Sequence, residues 1–236
     1  NMTALAATDH GNLFGAVDFY KKATKAGIKP IFGVETYVAS TNHLDKSIRK
    51  TYHLILLAKN NLGLKNLYKL LSIAFLDGFY YNPRIDKDLL KTYGEGLFGL
   101  SSCMGGEIPQ FLLAGQFDEA VLAAQTYAHL FEKDSFYLEL IDSKLSGQDI
   151  VNDGLVRIAK ETGLPLVATA DCHYLHREDH MAHEILMCIS TGKVVTDSNP
   201  LDMSGVDLSM KSEAEMLTNF AGNEDALHRT SDVAKL

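Results

Sequence analysis

Thr8-Asp9-His10-Gly11-Asn12 closes the apolar run Leu5-Ala6-Ala7, and late in the chain Asp171-Cys172-His173 closes a second run, Leu166 to Ala170. Carboxylate oxygen and imidazole nitrogen at the ends of two apolar runs are halves from which a metal site is built. With Glu35, His53 and Cys103 they make a mixed O, N, S donor set of the kind that holds zinc, manganese or iron at a hydrolytic centre. Taken singly, each has a plain structural explanation. A histidine opening an apolar strand is usually a hydrogen-bonded core residue, and a cysteine beside serine and glycine is usually a small buried hydrophobe. Glu35 is harder to explain away. It sits inside Val34-Glu35-Thr36-Tyr37-Val38, and burying a carboxylate without a cation or hydrogen bonds is costly. The coincidence of all these residues argues for a site. A second cluster, His176, His180, His183 and Glu184, lacks the His-Glu-Xaa-Xaa-His order of a zinc helix. It reads as an amphipathic helix over 179–189 with Met181, Ile185 and Ile189 on its apolar side.

Elements that could position these residues alternate along the chain. Strands are expected at Leu5 to Ala7, Ile31 to Val38, His53 to Ala58, Leu97 to Ser101, Phe136 to Ile141 and Leu166 to Ala170. Between them, apolar residues at three and four spacing predict helices over 14–26, 62–75, 118–131 and 150–162. Alternating strands and helices imply βαβ units and a parallel sheet, here a barrel-like α/β domain. In such barrels the loops after the strands build the site, so residues at strand ends carry weight. After about Gly192 the alternation fades. Residues 197–205 read as turn-rich, and helices are expected over 212–220 and 223–236. The division is therefore a barrel domain over 1–192 and a connecting segment with helices over 193–236. The abrupt ends are expected to reflect a piece of something longer, with an upstream strand missing.

The chain of 236 residues carries a net charge of −8, which disfavours strong nucleic-acid binding by this segment alone, because lysine and arginine supply most non-specific affinity for phosphate. Basic residues gather at Lys21, Lys22, Lys25 and Lys29 and at Lys46, Arg49 and Lys50, runs that are most often solvated faces. No stretch approaches the roughly 20 apolar residues of a membrane span, and 1–3 has no signal-peptide character. Three cysteines, Cys103, Cys172 and Cys188, give no disulfide framework, and a reducing, cytoplasmic setting is expected.

Several segments together resemble one family. They are Thr8-Asp9-His10-Gly11-Asn12, the stretch from Gly27 to Glu35, Tyr52-His53-Leu54 through Asn60, Gly78-Phe79-Tyr80-Tyr81 with Pro83-Arg84-Ile85-Asp86, Ser101-Ser102-Cys103, and Leu164 to Thr169 followed by Asp171-Cys172-His173-Tyr174. They resemble the PHP (polymerase and histidinol phosphatase) domain, in the branch found in the alpha subunit of bacterial DNA polymerase III. The resemblance implies a distorted, TIM-like β/α barrel with a trinuclear metal centre at its strand ends and a helical appendage leading towards a polymerase palm. It implies His10, Glu35, His53, Cys103, Asp171 and His173 as metal ligands, with Asp171 and His173 acting in catalysis through the metal and Asp9 in a supporting place. A thiolate ligand would tilt the preference towards zinc.

Some members of this family use the centre as a 3′–5′ exonuclease that proofreads. Others have lost ligands and serve as a platform for a separate proofreading subunit. The intact ligand types at the positions named favour the active class, with the DNA 3′ end held mainly by other polymerase domains and with further replisome partners. The family's first motif, His-Xaa-His, is expected ahead of Asn1. Two other functions stay open: an inactive scaffold or docking domain of the polymerase, and a free-standing phosphoesterase resembling histidinol-phosphate phosphatase.

Overall fold

A computed structural model describes residues 2–194 and 205–235. The central strands are β1 (Ala4–Ala7), β2 (Lys29–Ala39), β3 (Thr51–Ala58), β4 (Arg84–Ile85), β5 (Leu97–Leu100), β6 (Phe136–Ile141) and β7 (Leu166–Thr169). They form one curled sheet in the order β1-β2-β3-β5-β6-β7, with β4 also on β2. β1 with β2, β2 with β4, β5 with β6 and β6 with β7 are parallel. The strict parallel expectation needs one amendment, since β3 runs antiparallel to both β2 and β5. The 11-residue linker 40–50 joins β2 to β3 without a crossover helix, so the chain turns back and β3 begins, rather than ends, at the rim where the other strands finish.

Alternation along the strands separates two apolar layers. Val34, Val38, Leu54 and Leu56 face outward into the larger core, where they meet helices, while Ile55, Leu57, Phe98, Leu100, Tyr137 and Val167 fill the inside of the curl. The outer layer consists of α1 (Ala16–Lys25), α2 (Asn61–Leu76), α3 (Lys87–Tyr93), α4 (Glu107–Leu113), α5 (Phe117–Ala128) and α6 (Gln148–Thr162). α2 shows why these segments are helical. Asn60 accepts the N–H groups of Leu62 and Gly63, and Leu67, Leu70, Leu71 and Ala74 recur on the buried side. Full burial of each such leucine contributes about 2 kcal/mol. α3, α4 and the two-residue β4 were not among the expected elements.

Beyond β7 lie α7 (His180–Thr191), α8 (Glu213–Asn219) and α9 (Glu224–Ala234). Most of the segment expected to be turn-rich, 197–205, lies outside the described residues. α9 packs on β7: Arg229 donates to the Leu166 carbonyl, Val233 touches the inner apolar layer, and Lys29 donates to the Ala234 carbonyl. Among the described residues, no helix is long and apolar enough to cross a membrane.

The 40–50 linker is fixed to the rim by one fully buried side chain. Arg84 donates to the carbonyls of Gly78, His43, Asp45 and Ile48, while Asp86 accepts the His43 N–H at 2.9 Å. Arg84→Leu strands four carbonyls at once. It is expected to destabilise the fold by about 3 kcal/mol or more, measured by urea denaturation; a loss below about 1 kcal/mol would mean that the linker is held by something else.

Candidate metal centre

Backbone pairing brings the first three candidates together. Past β1 the chain stays beside β2: the Glu35 N–H donates to the Asp9 carbonyl at 3.1 Å and the Gly11 N–H to the Glu35 carbonyl at 2.9 Å, which sets His10 opposite Glu35. Gly33 permits that approach, because a Cβ there would stand 2.9 Å from Thr8 and 2.5 Å from Leu57. His53 pairs with Tyr37 across β2 and β3, and its N–H donates to the Gly105 carbonyl at 2.9 Å, placing the loop after β5 against the imidazole.

The Glu35 carboxylate lies between two imidazoles. Its Oε2 is 3.2 Å from His10 Nδ1 and its Oε1 is 2.6 Å from His53 Nδ1. His10, Glu35 and His53 each offer a ligand atom, and those atoms lie within 4.8 Å of one another. Ser102 Oγ donates to Glu35 Oε1 at 3.2 Å, and Cys103 Sγ is 3.6 Å from that oxygen and 3.7 Å from His53 Nδ1. The His173 ring sits 6.1 Å from that of His10, and its Nδ1 is 3.8 Å from Asp171 Oδ1. Asp9 contributes its backbone carbonyl, while its carboxylate lies beside Gly15. His10, Glu35 and His53 thus form a tight group, and Cys103, Asp171 and His173 surround it.

Ser102, after β5, and Asp171, after β7, adopt left-handed backbone at φ 67° and φ 46°. Such conformations persist where surrounding contacts over-determine them. Ser102 is held by Glu35 and by Glu139, whose Oε2 accepts the Ser102 N–H at 3.1 Å.

Electrostatics follow from crowding acids in a concave space. Burial raises the Glu35 carboxyl, but the hydrogen bond and charge of His53, with His10 and Ser102, outweigh it and hold Glu35 below the usual carboxylate range. Asp171 is raised by burial and by Glu35 despite the nearby imidazoles. Burial, Glu35 and Asp171 push the Cys103 thiol up to about 12. Burial drives Glu139 up to about 8, although Thr169 and Ser102 donate to it. A divalent ion fits this donor set. Two imidazoles and a buried carboxylate already converge, and a cation offsets the burial and the carboxylate repulsion that raise Asp171 and Cys103.

Sequence reading passes over Glu139 and gives His183 only as a member of the second cluster, read as a helix. Glu139 stands in the apolar strand Phe136-Tyr137-Leu138-Glu139-Leu140-Ile141, and its carboxylate, like that of Glu35, is costly to bury without a cation or hydrogen bonds. His183 packs its ring 5.3 Å from His173 and 5.5 Å from Tyr174, a contact that spacing along α7 cannot reveal. His176 and His180 are exposed, whereas Met181, Ile185 and Ile189, expected on the apolar side of α7, are exposed as well.

Curled sheet, strand-end histidines and buried glutamate accord with one family. Residues 1–143 match the model described as the PHP domain, and the chain belongs to that family. It is similar along its whole length to the DNA polymerase III subunit alpha of Borreliella burgdorferi, at 49% identity over 239 residues. It is similar over 99% of its length to the subunits of that name from Thermus aquaticus, at 40% identity, and Helicobacter pylori, at 39%. The chain spans about a fifth of the length of these relatives: 21% of the first and 20% of the other two.

Glu139 gives this region a pH signature. In the fold its carboxyl keeps its proton to about pH 8, whereas an unperturbed glutamate releases it near 4.5. The folded state therefore binds the extra proton between those values, and this group lowers stability as pH rises from about 5 to about 8. The urea midpoint of the metal-free chain should fall across that range, and fall less in Glu139→Gln; equal slopes would show that Glu139 ionises normally.

Proposed function

We propose that the chain is the PHP-domain portion of a bacterial DNA polymerase III alpha subunit and that its strand-end centre is a metal-dependent 3′–5′ exonuclease site used in proofreading. The observation that carries this reading is the buried Glu35 carboxylate gripped by His10 and His53, with Cys103, Asp171 and His173 around it. His10, Glu35, His53, Cys103, Asp171 and His173 would hold divalent ions. Zinc is favoured by the sulfur donor over manganese or iron, and a trinuclear set is complete where the family's first motif is present. When bound, such ions acidify water and neutralise charge on a phosphodiester.

The chain's own residues prepare that chemistry. His53 and Ser102 hold Oε1 of Glu35 and His10 its Oε2, Asp171 Oδ1 lies 3.8 Å from His173 Nδ1, and His183 packs against the ring of His173. The inner apolar layer of Ile55, Leu57 and Leu100 underlies the polar groups, which strengthens their interactions by lowering the local dielectric. The remainder of the polymerase would supply the nucleotidyl-transfer site and hold most of the DNA. By the same reading the protein works in the bacterial cytoplasm, among replisome partners. Whole-length similarity to polymerase subunits weighs against a free-standing phosphoesterase of the histidinol-phosphate phosphatase kind.

One observation favours a second reading, an inactive scaffold that docks polymerase domains or a proofreading subunit. The exposed row Met181, Ile185 and Ile189 on α7 suits a covered interface better than a solvated one. Asp171→Asn in the full-length polymerase separates the two. The nuclease reading expects exonuclease activity on single-stranded DNA to drop about a hundredfold or more with polymerisation retained. Undiminished nuclease activity in a normally folded variant would favour the scaffold.

A further inference from the structure

Around the rim that carries His10, a row of aromatic rings is left open to water. β3 begins at the rim and runs away from it, so α2, which follows β3, starts at the far end. Its 16 residues bring it back, a rise of roughly 24 Å. Its last turn presents Phe75 at the rim, with Phe79 just beyond. Phe14 is 83% exposed, Phe75 41% and Phe79 47%. Phe14 and Phe75 lie 6.3 Å apart, and Phe75 and Phe79 are stacked at 6.2 Å.

The row is rooted in the candidate centre. Asn12 Oδ1 accepts the Phe14 N–H at 2.9 Å, while Asn12 Nδ2 donates to the His10 carbonyl at 2.9 Å. A Cβ on Gly11 would stand 2.9 Å from Pro83, so the turn after His10 is packed against the loop that follows α2. Beside this row lies the linker bearing Lys46, Arg49 and Lys50, whose carbonyls Arg84 holds. The Arg49 guanidinium sits 3.9 Å above the Tyr81 ring and Lys50 Nζ 4.9 Å from the Tyr52 ring. A basic run that is merely solvated does not need a buried arginine to fix it in place. Stacking surfaces flanked by fixed cations suit a chain that alternates flat bases with phosphates. Lys46, Arg49 and Lys50 beside the rings favour a polyanionic occupant over the apolar face of another protein domain.

We infer that Phe14, Phe75 and Phe79, with Arg49 and Lys50, receive the unpaired 3′-terminal bases of a DNA strand and lead its end to the centre at Glu35. The identity of the strand rests on the nuclease reading; the stacking surface itself does not require cleavage. Hydroxyl-radical footprinting of the full-length polymerase, with and without an oligothymidylate closed by a hydrolysis-resistant 3′ phosphorothioate, tests the surface directly. Phe14, Phe75 and Phe79 should be oxidised in the DNA-free protein and protected by the oligonucleotide. Rings that stay equally reactive with DNA overturn the proposal. Rings already protected without DNA also overturn it, because another protein domain then covers them. The double variant Phe75→Ala/Phe79→Ala should raise KM for oligothymidylate cleavage about tenfold, with the loss in KM rather than kcat; an unchanged KM contradicts the platform. If the wild-type polymerase shows no cleavage, the nuclease reading falls and the footprint alone decides the stacking surface.

Discussion

A carboxylate buried between two imidazoles is the constraint on which the rim depends. Glu35 is 5% exposed, and its ion-pair partners among the described residues are His10 and His53. Its negative charge is tolerable only if those rings are protonated or a cation lies among the three. The second arrangement uses the geometry more fully, since the Asp171 carboxylate and the Cys103 sulfur offer further donors around the same space. Burial first, and then the neighbouring carboxylates, push both groups up, and a cation among them would offset that.

The fold can be understood as a way of delivering that carboxylate with its companions. β2 is long enough to pair with β1 over its first residues and with β3 and β4 over its last. One strand therefore carries Glu35 past His10 on one side and close to His53 on the other. The reversal of β3 is central to this. Had β3 been parallel, His53 at its start would lie at the far end of the curl from the residues that follow β5 and β7. Glu139 ties the arrangement from beneath, accepting from Ser102 on one neighbouring segment and Thr169 on the other.

Much of this was legible in the chain because buried strands announce themselves. β3, β6 and β7 are apolar runs between turn residues, and each expected boundary differs from the observed one by two residues or fewer. Most of what escaped did so for physical reasons. β4 makes only two residue pairings, both dependent on β2. α3 and α4, seven residues each, went unread although α8, of the same length, was expected. The direction of β3 depends on how the 40–50 linker is held, and Arg84, the residue that holds it, acts across more than thirty positions of sequence. At the site, donor types and strand ends pointed to His10, Glu35 and His53. The packing of His183 on His173 is a tertiary fact with no local trace, and the exposed stripe on α7 shows that amphipathic spacing does not say whether an apolar face has found a partner.

In the proposed centre Glu35 is the anchor for a divalent ion. Elemental analysis of the full-length polymerase, purified without added metal, beside its Glu35→Gln variant tests it most directly. Gln keeps the volume and one acceptor oxygen while removing the charge. The parent should carry at least one equivalent of a zinc-, manganese- or iron-type ion, with a clear loss in a variant that remains folded by circular dichroism. A folded parent without metal, or a variant that keeps the full complement, would contradict it.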